Sequence, residues 1–328
     1  MNNALNTLQS GQQSAFGTAN ATATAKQQTV TTFKPSVELQ TQVVDRMYTM
    51  LAPGSDVVLD GHSAAATFET EGATYEDINY WLGSMFSFAT PGGAGPYTRA
   101  YAAPLTAPVT PKFLTLQYGQ TGLITQLNDC SVTTLNLAGA SNGKMSCGGS
   151  ILASKALVGA LQALSERTGL AVAMGNHASL AIDAWAGTVG TTAISASAFA
   201  WELTVNANRE YRAYLGDLNP TAWNDNPWSG QLKLSLEVNA TTAAYITDML
   251  ASPNALIQKQ IQIKYTTGSA GTLKIFQIQF AGQSLQAPEL YTDRNGVTAI
   301  DIVLDGVYNS TMGNWLKIDS TSATATMI

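Results

Sequence analysis

At 328 residues the chain can hold two domains of ordinary size, each with its own core. Charged residues make up 12% of it, about half the usual share of roughly 25%, and the net charge is −6. That balance argues against a phosphate-binding surface, which concentrates Lys and Arg, and suits an exterior that meets other subunits.

Residues 1–33 are rich in Asn, Gln, Ser, Thr and Ala, with almost no large apolar residue after Leu8. Such a segment cannot bury enough surface to offset its ordering entropy, so it is expected to be a flexible N-terminal arm. Either it is a solvated tail or it orders against a neighbouring subunit. No apolar run precedes the first basic residue, Lys26, so no secretory signal is read. Val37–Leu51 fits a short helix or a strand equally well; Pro53-Gly54 reads as a turn and Asp56–Asp60 as a short strand.

A strand–helix–strand unit follows, and it occurs twice. The first copy, Ala65 to Tyr118, contains the helical stretch TYEDINYWLGSMF and the strand-like KFLTLQY. Ile78, Trp81, Leu82, Met85 and Phe86 share one face at the 3.6-residue period, and Thr74-x-x-Asp77 is a capping-box-like start. The second copy, Leu232 to Tyr265, reads LKLSLEV, TTAAYITDML, KQIQIKY. Ile246, Met249 and Leu250 then fall over Ile78, Trp81 and Leu82. Leu114, Leu116 and Tyr118 match Ile261, Ile263 and Tyr265 in period-2 strands. Downstream, LNLAG (Leu135–Gly139) is laid over IQFAG (Ile278–Gly282), and Asn142-Gly143 over Asn295-Gly296, each pair predicting a type I′ hairpin turn. The repetition points to a tandem duplication of one β-rich domain.

Between Phe86 and Pro111 lies a Pro/Gly-rich excursion with no counterpart in the second copy; ordered loops that long are usually functional. The Ala/Leu-rich Ile151–Ser165 is expected to form a helix closing the first domain, and Glu166–Gly169 an inter-domain turn. Ser179–Trp185, Ala200–Val205, Arg209–Leu215 and Val297–Leu304 read as strands, Asn219–Gly230 as a loop carrying Trp223 and Trp228. Ser320–Ile328 looks frayed. The resulting division is an arm (1–33), a first β-domain (34–169), a second (170–320) and a C-terminal tail (321–328).

Catalytic chemistry is hard to find in this chain. Its two histidines, His62 and His177, lack metal-ligand spacing, and no CxxC or HExxH occurs. Nothing links Cys130 or Cys147 to a general base, and both are expected to be buried reduced thiols. GGAGPY (92–97) lacks the Gly-Lys-Ser/Thr of a phosphate loop. The Asn20, Asn239 and Asn309 sequon-like triplets carry little weight without an export signal. Trp81 and Trp201 sit in periodic apolar patterns and are expected in the core, Trp223 and Trp228 at an interface. No catalytic, cofactor-binding or metal-binding residue is assigned. A carbohydrate-binding or adhesive β-sandwich surface protein would also explain the low charge and loop aromatics, but not the repeated helix.

The order TYEDINYWLGSMF, PYTRAYAAP, PKFLTLQYG resembles the major tail tube proteins of long-tailed bacteriophages. Tyr97, Tyr101, Tyr118 and Gly119 occupy that family's aromatic and glycine positions. SLAIDAWAGT followed by FAWELTVNANREYRAYLGDLNP resembles the start of the family's second half, and the likeness covers roughly residues 35–315. The resemblance implies a mainly β (α+β) chain of two tandem tail-tube-type β-sandwich domains, each with a flanking helix. It implies a non-enzymatic virion protein without cofactor, made in the host cytoplasm and located in the tail. Its partners would be further copies, in rings of three chains with pseudo-six-fold symmetry or of six, that stack into a tube. Tape-measure, tail-terminator and distal tail proteins would join them, with no membrane partner, and DNA would cross the lumen without specific binding.

Overall fold

The computed structural model describes residues 6–323 except 19–22, 28, 46–54, 89, 92–93, 121, 195–196, 252–256, 270, 287 and 295. Among these the fold is mainly β, with two short α-helices. The first half comprises β1 (Thr7–Gln12), β2 (Ala25–Lys26), β3 (Thr32–Asp45), β4 (Ser55–Glu71), α1 (Ile78–Met85), β5 (Tyr97–Ala102), β6 (Leu114–Gln120), β7 (Leu123–Ala140), β8 (Ser146–Ala153) and β9 (Lys155–Val158). The second comprises β10 (Ala178–Ala184), β11 (Ala198–Asn206), β12 (Arg209–Arg212), β13 (Ala222–Asp225), β14 (Ser229–Glu237) and α2 (Ala240–Ala251). It continues through β15 (Gln258–Thr267), β16 (Lys274–Gln283), β17 (Glu289–Arg294), β18 (Val297–Gly306) and β19 (Leu316–Ser322).

Every ladder named here is antiparallel, and the pairings of the two halves run in parallel. Around α1, β4 pairs with β3 and β8, and β6 with β1 and β7. Around α2, β14 pairs with β11 and β18, and β15 with β10 and β16. β7 bends at Asp129, which has φ 54, so its first part pairs with β6 and β9 and its second with β8. In the second half two strands share that role: β16 pairs with β15 and β19, β17 with β18. This displaces one sequence correspondence. IQFAG lies in β16 facing β15, whereas LNLAG lies beyond the bend of β7 facing β8. By register the counterparts of Ile278 and Phe280 are Leu127 and Cys130, opposite Leu116 and Leu114.

The Thr74 hydroxyl accepts from the Asp77 N–H at 3.0 Å as expected, but in the turn before the helix; α1 begins at Ile78, and its N-cap Asp77 makes no side-chain capping bond. All eight residues of α1 are buried, and Trp81 stacks on Phe68 of β4 with ring centroids 4.1 Å apart. Side chains of Ile246, Met249 and Leu250 lie outside the described residues, as do Pro53-Gly54 and Asn20. β3 settles the ambiguous stretch as strand through Asp45. The Arg294↔Val297 pair closes a β17–β18 hairpin at the expected place, with Gly296 at φ 79; Asn295 lies outside the described residues. Asn142-Gly143 closes the β7–β8 hairpin differently. Neither residue has positive φ; the Gly143 N–H donates to the Ala140 carbonyl at 3.2 Å, and the Gly143 carbonyl accepts from Gly175 at 2.8 Å.

The arm is corrected. Thr7–Gln12 is a strand of the first half, paired with β6 from Thr7↔Gly119 to Gln12↔Leu114. Leu8, Ser10 and Gln12 oppose Tyr118, Leu116 and Leu114 just as Ala178, Leu180 and Ile182 oppose Tyr265, Ile263 and Ile261. β1 is therefore the counterpart of β10. Polar composition does not prevent its burial, because the polar groups are paired. Gln9 Nε2 donates to the Gln162 carbonyl (2.7 Å) while Gln9 Oε1 accepts from the Gln162 N–H (2.8 Å), and Gln27 Nε2 donates to Ser10 Oγ (2.6 Å).

Three further expectations change. Ile151–Ser165 is no helix: Ile151–Ala153 completes β8, held between β4 and β7, and Lys155–Val158 is β9, so sheet pairing overrides Ala/Leu propensity. Arg209–Leu215 is strand only to Arg212, and the expected loop Asn219–Gly230 contains β13. The C-terminal stretch is ordered through β19, with Ser320 and Ser322 buried.

Candidate functional site: a polar sheet face with two open edges

β11 joins the halves, because besides β14 it pairs with β7 from Ala200↔Ala140 to Asn206↔Thr134. The result is one antiparallel run, β3-β4-β8-β7-β11-β14-β18-β17, of four strands from each half. Period-2 side-chain alternation gives it two unlike faces. One row crosses the run as Thr70, Cys147, Leu137, Leu203, Leu232 and Leu304, and all six are buried. A row on the other face reads Lys34, Thr67, Ser150, Thr134, Asn206 and Ser229. Another reads Glu69, Gly148, Asn136, Thr204, Gln231 and Asp305. The outer face is thus hydroxyls, amides and scattered charge.

Two of its basic groups share one carboxylate. Lys233 Nζ lies 3.4 Å and Arg294 Nη2 3.1 Å from Asp301 Oδ2, and Lys233 stands opposite Glu202. Burial alone would raise the Asp301 carboxyl. The Ser235 hydroxyl, at 2.5 Å, and the two cations outweigh it and hold the pKa below the usual carboxylate range.

The edge strands of this run are β3 and β17, which among the described residues pair only with β4 and β18. Register makes Val37 and Leu39 of β3 the counterparts of Leu203 and Val205 of β11: they oppose Ala64 and His62 where the latter oppose Leu232 and Gly230. Leu203 and Val205 are 0% exposed, with β7 alongside; Val37 and Leu39 are 47% and 63% exposed.

Each half also reaches onto the other. The Phe86–Pro111 excursion supplies β5, which pairs with β19 from Tyr97↔Ser322 to Ala102↔Lys317, so PYTRAY is an intramolecular clasp. Tyr101 is buried and donates to Asn79 Oδ1 of α1 at 3.0 Å. In return the β12–β13 hairpin packs on the first half. Arg209, paired with Asp225 at 2.7 Å, donates to the Ser84 and Met85 carbonyls at the end of α1 (3.4 and 3.3 Å) and to Ser131 Oγ beyond the β7 bend. Trp223 meets Phe113 at 5.7 Å and Trp228 meets Phe86 at 5.0 Å. The interface expected of these two tryptophans is found within the chain.

The groups that could have carried catalysis are dispersed. His62 Nε2 accepts from the Ala156 N–H at 3.5 Å, and His177 lies in a 3-10 turn. Register sets Cys147 opposite Leu137 and Cys130 opposite Leu114, so the cysteines are not partners. Both are buried free thiols; burial raises Cys130 well above the ordinary value and pushes Cys147 up to about 12. Neither should react with a thiol reagent at pH 8 in the folded protein, while both should after denaturation; fast reaction in the native state would contradict this burial. Asn239 caps α2 by accepting from the Thr241 and Thr242 N–H groups (3.0 and 3.1 Å), and Asn309 is buried. Among the described residues no His/Cys/Asp/Glu group could hold a metal, and no helix is long and apolar enough to cross a membrane.

Sequence reasoning missed the joined sheet and both clasps, which depend on contacts between distant segments. It could have found β1, since Gly17-Thr18 recurs after it as Gly187-Thr188 does after β10. No known protein family matches the chain, and no curated protein matches it either.

Proposed function

We propose that the chain is a structural subunit of a bacteriophage tail tube, built as two tandem β-sandwich domains whose joined sheets line a channel for DNA. The observation that carries this reading is the β7–β11 ladder, which joins two similarly paired halves edge to edge and leaves one open edge on each side. Repeating that junction between copies pairs β17 of one chain with β3 of the next. Arg294 then stands opposite Ser36, as Ala138 stands opposite Glu202 within the chain. Val37 and Leu39 become covered like Leu203 and Val205. Closing a sheet into a ring removes its exposed edges, which otherwise invite uncontrolled association. Three copies would give the pseudo-six-fold ring.

The polar face suits a lumen. Its hydroxyls and amides offer weak hydrogen bonds, and two of its cations, Lys233 and Arg294, are held by Asp301. DNA would slide without specific binding, and tape-measure, terminator and distal tail proteins would meet the tube at its core or ends. Negative-stain microscopy with mass measurement tests the reading. Rings or tubes with three chains per ring are expected; a protein that stays monomeric at high concentration, or rings of six chains, would count against it.

A further inference from the structure

The β12–β13 hairpin has a counterpart that is unoccupied within the chain. Beyond Asn206↔Ser229, β11–β14 continues into β12–β13 with a one-residue shift, reaching Arg209↔Asp225. Beyond Gln40↔Gly61, β3–β4 makes the same shift and reaches Val43↔Val57. The buried ion pair Arg209–Asp225 therefore corresponds to a rung of two valines. That rung is open: Val43, Val57 and Leu59 are 63%, 66% and 45% exposed. Alternation along β3 puts Leu39, Thr41 and Val43 on one face, with Leu59 and Val57 opposite the last two, so the ribbon carries an apolar stripe.

The surface that would receive it also has a counterpart. Arg209 contacts Ser131, one residue past Cys130; by register Cys130 corresponds to Phe280, so Ser131 corresponds to Ala281. Where the first half has a hydroxyl that meets an arginine, the second has a fully buried alanine. Ala281 is covered by the segment after β18, because its carbonyl accepts from the Val307 N–H at 3.0 Å and its N–H donates to the Trp315 carbonyl at 2.8 Å. Val307, whose N–H makes the first of these bonds, and Tyr308 next to it in the chain are 36% and 53% exposed. The ribbon has thus changed from polar to apolar, and exposed apolar groups stand beside the buried Ala281.

We infer that the β3–β4 ribbon docks on a second copy of this chain, its Val43–Val57 rung against Val307 and Tyr308, repeating between copies the contact that β12–β13 makes within one. This rests on the ring reading, since only edge-to-edge repetition of the halves brings the two surfaces together. Open apolar groups in both places are what unfilled halves of one interface would leave.

Disulfide trapping tests it. The Val43→Cys/Val307→Cys variant is assembled and oxidised beside a control, Ser36→Cys/Arg294→Cys, that reports the β3–β17 edge. The native thiols are buried and should stay silent. Linked multimers are expected from both variants and from neither set of single substitutions. Val57→Asp should raise the concentration needed for assembly by about tenfold or more, the equivalent of one apolar contact. Edge links without ribbon links would overturn the inference and leave the ring standing. No assembly and no links from either variant would overturn both. Links from Val43→Cys alone would place ribbon against ribbon and also overturn it.

Discussion

Trp81→Ala is expected to yield poorly soluble or unfolded chains. Trp81 is buried in α1, the one α-helix among the described residues of the first half, stacked on Phe68 of the strand that helix follows. Truncating a buried Trp costs about 3–5 kcal/mol through lost burial and a residual cavity. Total stability of a domain is about 5–15 kcal/mol, so assembly should be lost with the fold. Trp81→Phe keeps the apolar character and most of the volume, and should be far milder. Circular dichroism melts of both variants check this. A Trp81→Ala chain with unchanged melting temperature that merely fails to assemble would move Trp81 from the core to a subunit contact.

The second large effect is expected at Asp225. It balances Arg209, whose guanidinium is buried among the carbonyls at the end of α1 and the strand beyond the β7 bend. Asp225→Ala leaves that charge buried without its partner and should cost about 3–5 kcal/mol. Replacing both members, as in Arg209→Met/Asp225→Leu, removes the charge as well as its partner and should be less harmful than Asp225→Ala alone. Denaturant titrations of the three proteins decide it. A double variant as unstable as, or less stable than, the single one would mean that the hydrogen bonds of Arg209 outweigh its desolvation.

Local order was legible where one segment settles its own structure. The α1 face, the Thr74–Asp77 hydrogen bond, the alternating strands β6, β14, β15 and β18 and the β17–β18 hairpin all follow from short-range pattern. The sequence misled where burial depends on a distant partner. β1 looks too polar to fold, yet Gln9 is satisfied by the backbone of Gln162. Ile151–Ala153 looks helical, yet it lies between β7 and β4, and β4 comes from the far side of α1 and the Pro/Gly-rich excursion. The candidate site was the least legible part. Its polar rows are assembled from strands of both halves, and no single strand announces which neighbour it will meet.

The most direct test of the central proposal is a reconstruction of the assembled protein that resolves side chains around the channel. The account predicts three chains per ring, β17 paired with β3 of the neighbour, and the row of Asn136, Thr204 and Gln231 facing the lumen. A lumen lined by the opposite face, or by a continuous belt of unpaired Lys and Arg, would contradict it.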